Sequence, residues 1–141
     1  MLLVRTYIGP SKIHGIGLFA TEFIEKGKPT WKFTPGFDLE LGKEDLMKLS
    51  ESSRQQVLHY CYVDREKPDV YILCFDDARF MNHSEEPTIR NGQLNNGVYA
   101  DVAARDITEG EELTYNYKAE DLDYYRKFDL PTPSDITVNR F

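Results

Sequence analysis

Three short stretches of this chain hold residue types that do chemistry at close quarters. His14-Gly15-Ile16-Gly17 places two glycines one residue apart, so backbone can approach a ligand without Cβ atoms in the way. Asn82-His83-Ser84 follows Arg79-Phe80-Met81. Asn and His offer donors and acceptors that orient a polar ligand, and Arg can pair a carboxylate through two nitrogens. Glu112-Leu113-Thr114-Tyr115-Asn116-Tyr117 alternates, which predicts a strand with Tyr115 and Tyr117 on one face. Two phenols on one face are either a core pair or the wall of an aromatic channel. Glu111 and Glu112 are expected to point to opposite sides as solvated turn residues.

Several chemistries are excluded by spacing. The glycine pair lacks a third glycine and runs into a strand, so it is not a dinucleotide fingerprint. No Gly-Lys-Ser/Thr closes it as a P-loop. G-x-S-x-G is absent, which removes the hydrolase elbow. His14, His59 and His83 do not have the spacing of a metal motif, and no metal site is expected.

The elements that must position these stretches are short. Leu2 to Ile8, Ile16 to Ala20 and Pro29 to Phe33 read as strands separated by glycine turns. From Lys43 to Tyr60 the apolar residues fall near helical spacing, predicting two short helices broken near 50–52, with Ser52 and Gln55 as a capping box. Val70–Phe75 reads as a buried strand, Pro87 to Gly97 as a polar loop, and Val98–Ala104 and Leu113–Tyr117 as further strands. Many short strands with little helix predict a mostly-β fold. At 141 residues the chain has room for one domain.

Composition narrows the partners. With 17 Lys and Arg against 24 Asp and Glu, the net charge is −7. That argues against direct nucleic-acid binding, which wants a basic face, and suits a basic peptide. Cys61 and Cys74 are too few for a disulfide scaffold and are expected as free buried thiols. With no apolar run of membrane-spanning length and no cleavage-site pattern at the start, the expectation is a cytoplasmic protein without membrane contact.

In order and identity, HGIGLFA, RFMNHS and GEELTYNY resemble the motifs of the SET-domain protein-lysine methyltransferases. The resemblance runs from Lys12 to Tyr117. It implies a β-clip-like fold of small sheets with a knot-like C-terminal core, a helical insert at about 43–60 and a tail from about 118 to 141. It implies methyl transfer from S-adenosylmethionine to the side-chain amine of lysine in a protein substrate, histone or other. By position, His14, Gly15, Ile16, Gly17, Arg79, Asn82, His83 and Tyr117 would hold the cofactor, with Tyr117 as the catalytic tyrosine that orients the lysine amine beside the transferring methyl. Tyr115 matches the position that limits the number of methyls. The alternative is a catalytically silent SET-like module that binds peptide or cofactor.

There are departures. Glu85 stands where the family commonly has Cys, and Thr88 where it has Asn. With no Cys in the tail, the family's zinc site is not expected, as in the short stand-alone type without cysteine-rich flanks. Tyr124, Tyr125 and Phe128 are then expected either to close the cofactor site or simply to cover the core.

Overall fold

The structure is a computed structural model and describes residues 1–134. Small sheets dominate it, as the strand-rich sequence predicts. The first has four strands in the order β1-β2-β10-β7: Thr6–Pro10 (β1), Ile16–Ala20 (β2), Glu112–Tyr115 (β10) and Asn82–His83 (β7). β10 lies between its neighbours, antiparallel to β2 through Leu113↔Leu18 and parallel to β7 through Thr114↔Asn82 and Tyr115↔His83. This pairing is what brings the three motifs, nearly a hundred residues apart in sequence, side by side.

The second sheet has the order β3-β9-β8: Pro29–Trp31 (β3), Tyr99–Ala103 (β9) and Ile89–Gln93 (β8). The third has the order β4-β6-β5: Leu39–Gly42 (β4), Val70–Leu73 (β6) and Cys61–Val63 (β5). Helices Lys43–Met47 (α1) and Glu51–Tyr60 (α2) sit between β4 and β5, and the tail adds Tyr117–Glu120 (α3) and Tyr124–Lys127 (α4).

The main core is Leu18, Ile24, Ile89, Ile107 and Leu113, all fully buried. Each such side chain contributes roughly 1.5–3 kcal/mol by leaving water. A separate cluster of Leu46, Leu58, Cys61, Val63 and Tyr71 seats the helical pair on the third sheet. Both cysteines are buried and free, as expected.

Three local expectations are corrected. The second helix is capped by Ser50, not Ser52: the Ser50 side chain accepts from the Ser53 backbone N–H at 3.2 Å. Helix starts earlier because this serine, and not the next, has extended backbone. The polar stretch expected as loop is a hairpin, with Ile89–Gln93 paired to Tyr99–Ala103. Pairing with an apolar neighbour outweighs the weak strand propensity of Arg90, Asn91 and Gly92. A Cβ at Gly92 would meet Val102 Cγ2 at 2.8 Å, so the glycine lets these strands close. The last strand ends at Tyr115, and Tyr117 opens α3 instead of continuing the alternation. Asn116 causes this break: its side chain accepts from the Ala119 N–H at 3.1 Å and caps the helix.

Candidate active site

Two neighbouring features hold the residues singled out by sequence. The first is a polar clamp around Asn82. Its Nδ2 donates to the carbonyls of His14 and Ile16, each at 3.1 Å, and to Glu112 Oε1 at 2.9 Å. With three acceptors on that side, the carboxamide must turn its NH2 inward, leaving Oδ1 facing away. Ser11 Oγ donates to the same Glu112 carboxylate at 2.8 Å and accepts from the Ile13 N–H at 2.9 Å. Gly15 has φ +50°, which a side chain would disfavour. At Gly17 a Cβ would lie 2.3 Å from Glu112 Oε1. That oxygen is held by Ser11 and Asn82, so it cannot simply swing aside.

Glu112 is therefore not the solvated turn residue that sequence suggested. It is half-buried and ties the glycine loop to β7. Its neighbour Glu111 does stay at the surface side, paired with Arg105. The signal for Glu112 was its place at the start of a strand whose partner, β2, follows directly on the glycine turn and contains Gly17.

His83 stands at the edge of this clamp. Its Nδ1 accepts from the Tyr117 backbone N–H at 3.1 Å, so the proton of the neutral ring sits on Nε2. Around its ring lie Tyr117, Tyr124 and Phe128, with centroids 5.7, 5.6 and 5.9 Å away. The tail aromatics thus pack on the motif residues themselves, not merely on the core. Tyr125 is set back, touching Tyr124 edge-on at 5.2 Å.

A carboxylate fastens this tail. Asp121, buried, accepts from the backbone N–H of Val63 and of Asp123, both at 2.9 Å, and pairs with Lys127 at 2.6 Å. The Leu122 N–H donates to the Val63 carbonyl at 2.9 Å, so the tail occupies the outer edge of β5. Lys127 Nζ also lies 5.3 Å from the Tyr117 ring centroid. Residues 135–141 of the expected tail lie outside the described residues.

The second feature is a cavity of about 480 Å³. Trp31, Tyr62, Tyr99, Tyr115 and Tyr117 line it, together with Met81. Although Tyr117 has left the strand, it still faces the same space as Tyr115. Its hydroxyl donates to the Met81 carbonyl, while the Tyr115 hydroxyl donates to Asp101 Oδ1 at 3.1 Å. Burial pushes both phenols well above the ordinary tyrosine range, so both stay protonated. Burial also raises the Asp101 carboxyl to about 7, partly offset by the Tyr115 hydrogen bond.

Six acids and four bases line the cavity and its mouth. The bases are largely engaged: Lys67 with Glu40, Lys127 with Asp121, Arg65 with the carbonyls of Ala119 and Lys118. Arg79, expected at the cofactor, is exposed on this cavity's wall. Its NH1 donates to the Phe75 carbonyl at 3.2 Å, and its guanidinium lies over Phe80 at 5.1 Å. The structure thus separates the sequence-named residues. Tyr115, Tyr117 and Arg79 line the aromatic cavity; His14 to Gly17, Asn82 and His83 form the adjoining clamp and do not line it. Tyr117 belongs to both, through its ring on one side and its N–H on the other. Sequence reasoning missed Asp101, Tyr62 and Trp31, which carry no motif: Trp31 and Asp101 pair across β3 and β9 of one sheet, and Tyr62 comes from β5 of another.

Comparison with known proteins fits this layout. Residues 15–118 match the sequence profile of the SET domain. The H3 lysine-4 specific histone-lysine N-methyltransferase of Schizosaccharomyces pombe is 32% identical over 132 aligned residues, covering 81% of this chain and 13% of that protein. The histone-lysine N-methyltransferase trithorax of Drosophila virilis is 30% identical over 131, covering 81% and 3%. The chain spans only 2% to 13% of the length of the curated relatives it matches first. Among solved structures, Chaetomium thermophilum Polycomb Repressive Complex 2 bound to S-adenosylmethionine superposes with a TM-score of 0.62 at 22% identity, over 89% of this chain and 16% of that one. A Plasmodium falciparum crystal structure superposes with a TM-score of 0.56 at 20% identity, over 82% of this chain and 95% of its own. By its profile match over most of its length and by its fold, this chain belongs to the SET-domain family.

Proposed function

We propose that the chain is a protein-lysine methyltransferase that takes its methyl group from S-adenosylmethionine. The observation that carries this reading is the double placement of Tyr117, whose ring lines an aromatic cavity while its N–H engages His83 of the polar clamp. A reaction between a cationic donor and a lysine amine needs two such compartments meeting at one residue.

The clamp suits an amino-acid-bearing sulfonium. Asn82 Oδ1 accepts no bond from the described residues, the His14 and Ile16 carbonyls keep a second lone pair, and Glu112 supplies negative charge. Gly17, without a Cβ, lets the Glu112 carboxylate lie against the loop. Half-exposed Ile16 and Phe128 offer apolar surface beside these groups. In this reading His14, Gly15, Ile16, Gly17, Asn82 and His83 bind S-adenosylmethionine, which supplies an electrophilic methyl on a positively charged sulfur. Arg79 is assigned to the substrate side, where it lies on the cavity wall.

The residues of the cavity prepare the amine. At pH 7 a lysine sits about 3 pH units below its pKa, so its neutral form costs roughly 4 kcal/mol. A dry aromatic wall lowers that cost by disfavouring the charged form. Tyr117 and Tyr115 have both donated their hydroxyl hydrogens to protein acceptors, so their oxygens accept from the amine's N–H groups and aim its lone pair. Most of the acceleration then comes from positioning. A lysine on a basic protein, histone or other, suits the net negative mouth.

The test is transfer of labelled methyl from S-adenosylmethionine to core histones and to a lysine-peptide library. Tyr117→Phe is expected to lower turnover by at least about a hundredfold while S-adenosylmethionine still binds. Wild-type protein that binds the cofactor but labels no substrate would point to a silent binding module instead.

A further inference from the structure

Asp101 is a carboxylate on the cavity wall that belongs to no motif. It stands on β9, where its register partner on β3 is Trp31 and its carbonyl accepts from Thr30 Oγ1 at 3.2 Å. Its position is therefore set by backbone pairing. Its Oδ1 accepts the Tyr115 hydroxyl at 3.1 Å. A phenol has one hydrogen. Once Tyr115 has given it to Asp101, the oxygen can offer only lone pairs to whatever enters. Tyr117 is in the same condition, its hydrogen spent on the Met81 carbonyl.

Such a wall discriminates by N–H count. A primary ammonium brings three donors and each added methyl removes one. A trimethylated head brings none, is wider, and leaves the phenol oxygens and the carboxylate unpaired. Building on the methyl-transfer reading, we infer that Asp101 is a specificity-determining residue. Its carboxylate holds Tyr115 as an acceptor, and the cavity favours alkylammonium heads bearing N–H groups over fully methylated ones.

The charged and titratable groups that act on Asp101 are Tyr115 on β10, Glu120 on α3, Tyr62 on β5, Asp64 after it, Cys74 after β6, and the Met1 ammonium. The two acids and burial favour its neutral form in the empty cavity. An entering cation reverses that balance and draws the carboxyl back to its ionised form. The ligand that the site selects thereby restores the charge that selects it.

The test needs no cofactor. Hexylammonium and hexyltrimethylammonium are titrated into the intact protein and followed by NMR shifts of the cavity residues. Wild type is expected to prefer hexylammonium by about tenfold or more, the scale of one hydrogen bond to a charged group. Asp101→Asn is expected to cut that preference to about threefold, and Asp101→Leu to remove it. Either folded variant suffices. A preference that is absent in wild type, or undiminished in the folded variants, overturns the inference. In the labelled-methyl assay the variants should shift product towards the dimethyl and trimethyl forms by mass spectrometry, and an unchanged product ladder overturns it too. Selection of hexylammonium by a protein that transfers no methyl would refute the methyl-transfer reading while supporting the role of Asp101.

Discussion

Asn82 and Glu112 draw their partners from Ser11, His14 and Ile16, so each holds the others in place. Asp101 and Tyr115 meet on a cavity wall where the carboxylate has one side-chain donor among the described residues. The first region is a closed polar network joining β2, β7 and β10. The second is a hollow between three sheets, walled by aromatic rings with charged residues among them and at its mouth. The difference teaches what each is built to do. A closed network fixes backbone for one shape of ligand, and leaving one member out strands the rest. A hollow with an under-partnered acid keeps free energy of interaction available for whatever fills it.

Breaking the clamp should have the larger effect. Asn82→Ala removes the donor shared by two carbonyls and a half-buried carboxylate. The expected loss of stability is about 2–4 kcal/mol, measured by denaturant unfolding. S-adenosylmethionine binding should fall by at least about tenfold in calorimetry. Hexylammonium binding in the cavity should stay within about twofold, because Asn82 does not line it. If both ligands are lost together in a folded variant, the two regions are one unit and the contrast between them fails.

The cavity should show itself in pH. Burial holds the Asp101 carboxyl near 7 in the folded protein, above the ordinary 3.8. The folded state therefore keeps a proton that the unfolded chain has lost. This contribution to stability is fully present below about pH 4 and fades as pH rises through 7. Wild type should lose roughly 2 kcal/mol relative to Asp101→Asn between pH 5 and pH 8. Parallel stability profiles for the two proteins would show that the acid is solvated.

Legibility in the sequence followed the same division. Part of the clamp was readable because its chemistry demands particular residues, a glycine at 17 where a Cβ would strike Glu112 and an amide at 82 that can face three acceptors; Glu112 itself was not, because its partners come from the distant glycine loop and β7. The helical pair at 43–60 was readable from periodicity alone, apart from the serine that caps it. The walls of the cavity were not. Trp31, Tyr62 and Asp101 sit on three-residue to five-residue strands whose neighbours are settled only by tertiary pairing. The break at Asn116 was hidden by an alternation that fitted a strand equally well. Its polar side chain prefers a helix cap when the next residues can turn.

The tail gives the finest test, because it touches both regions. Phe128 is 46% exposed, yet its ring lies 4.8 Å from Tyr124, 5.9 Å from His83 and 6.4 Å from Tyr117. Tyr125 meets only the edge of Tyr124 among the described rings. If the tail's work is to cover core, stability alone should register its loss. If it closes the clamp, cofactor affinity should fall as well. Phe128→Ala is expected to cost about 1 kcal/mol in unfolding and to weaken S-adenosylmethionine binding about fivefold, since the ring faces the histidine beside Asn82. Tyr125→Ala should change that affinity by less than about twofold. A lower melting temperature with unchanged cofactor affinity for Phe128→Ala would reduce the tail to a cover. It would also leave Asp121, anchored to Val63, as the tail's principal tie to the rest of the fold.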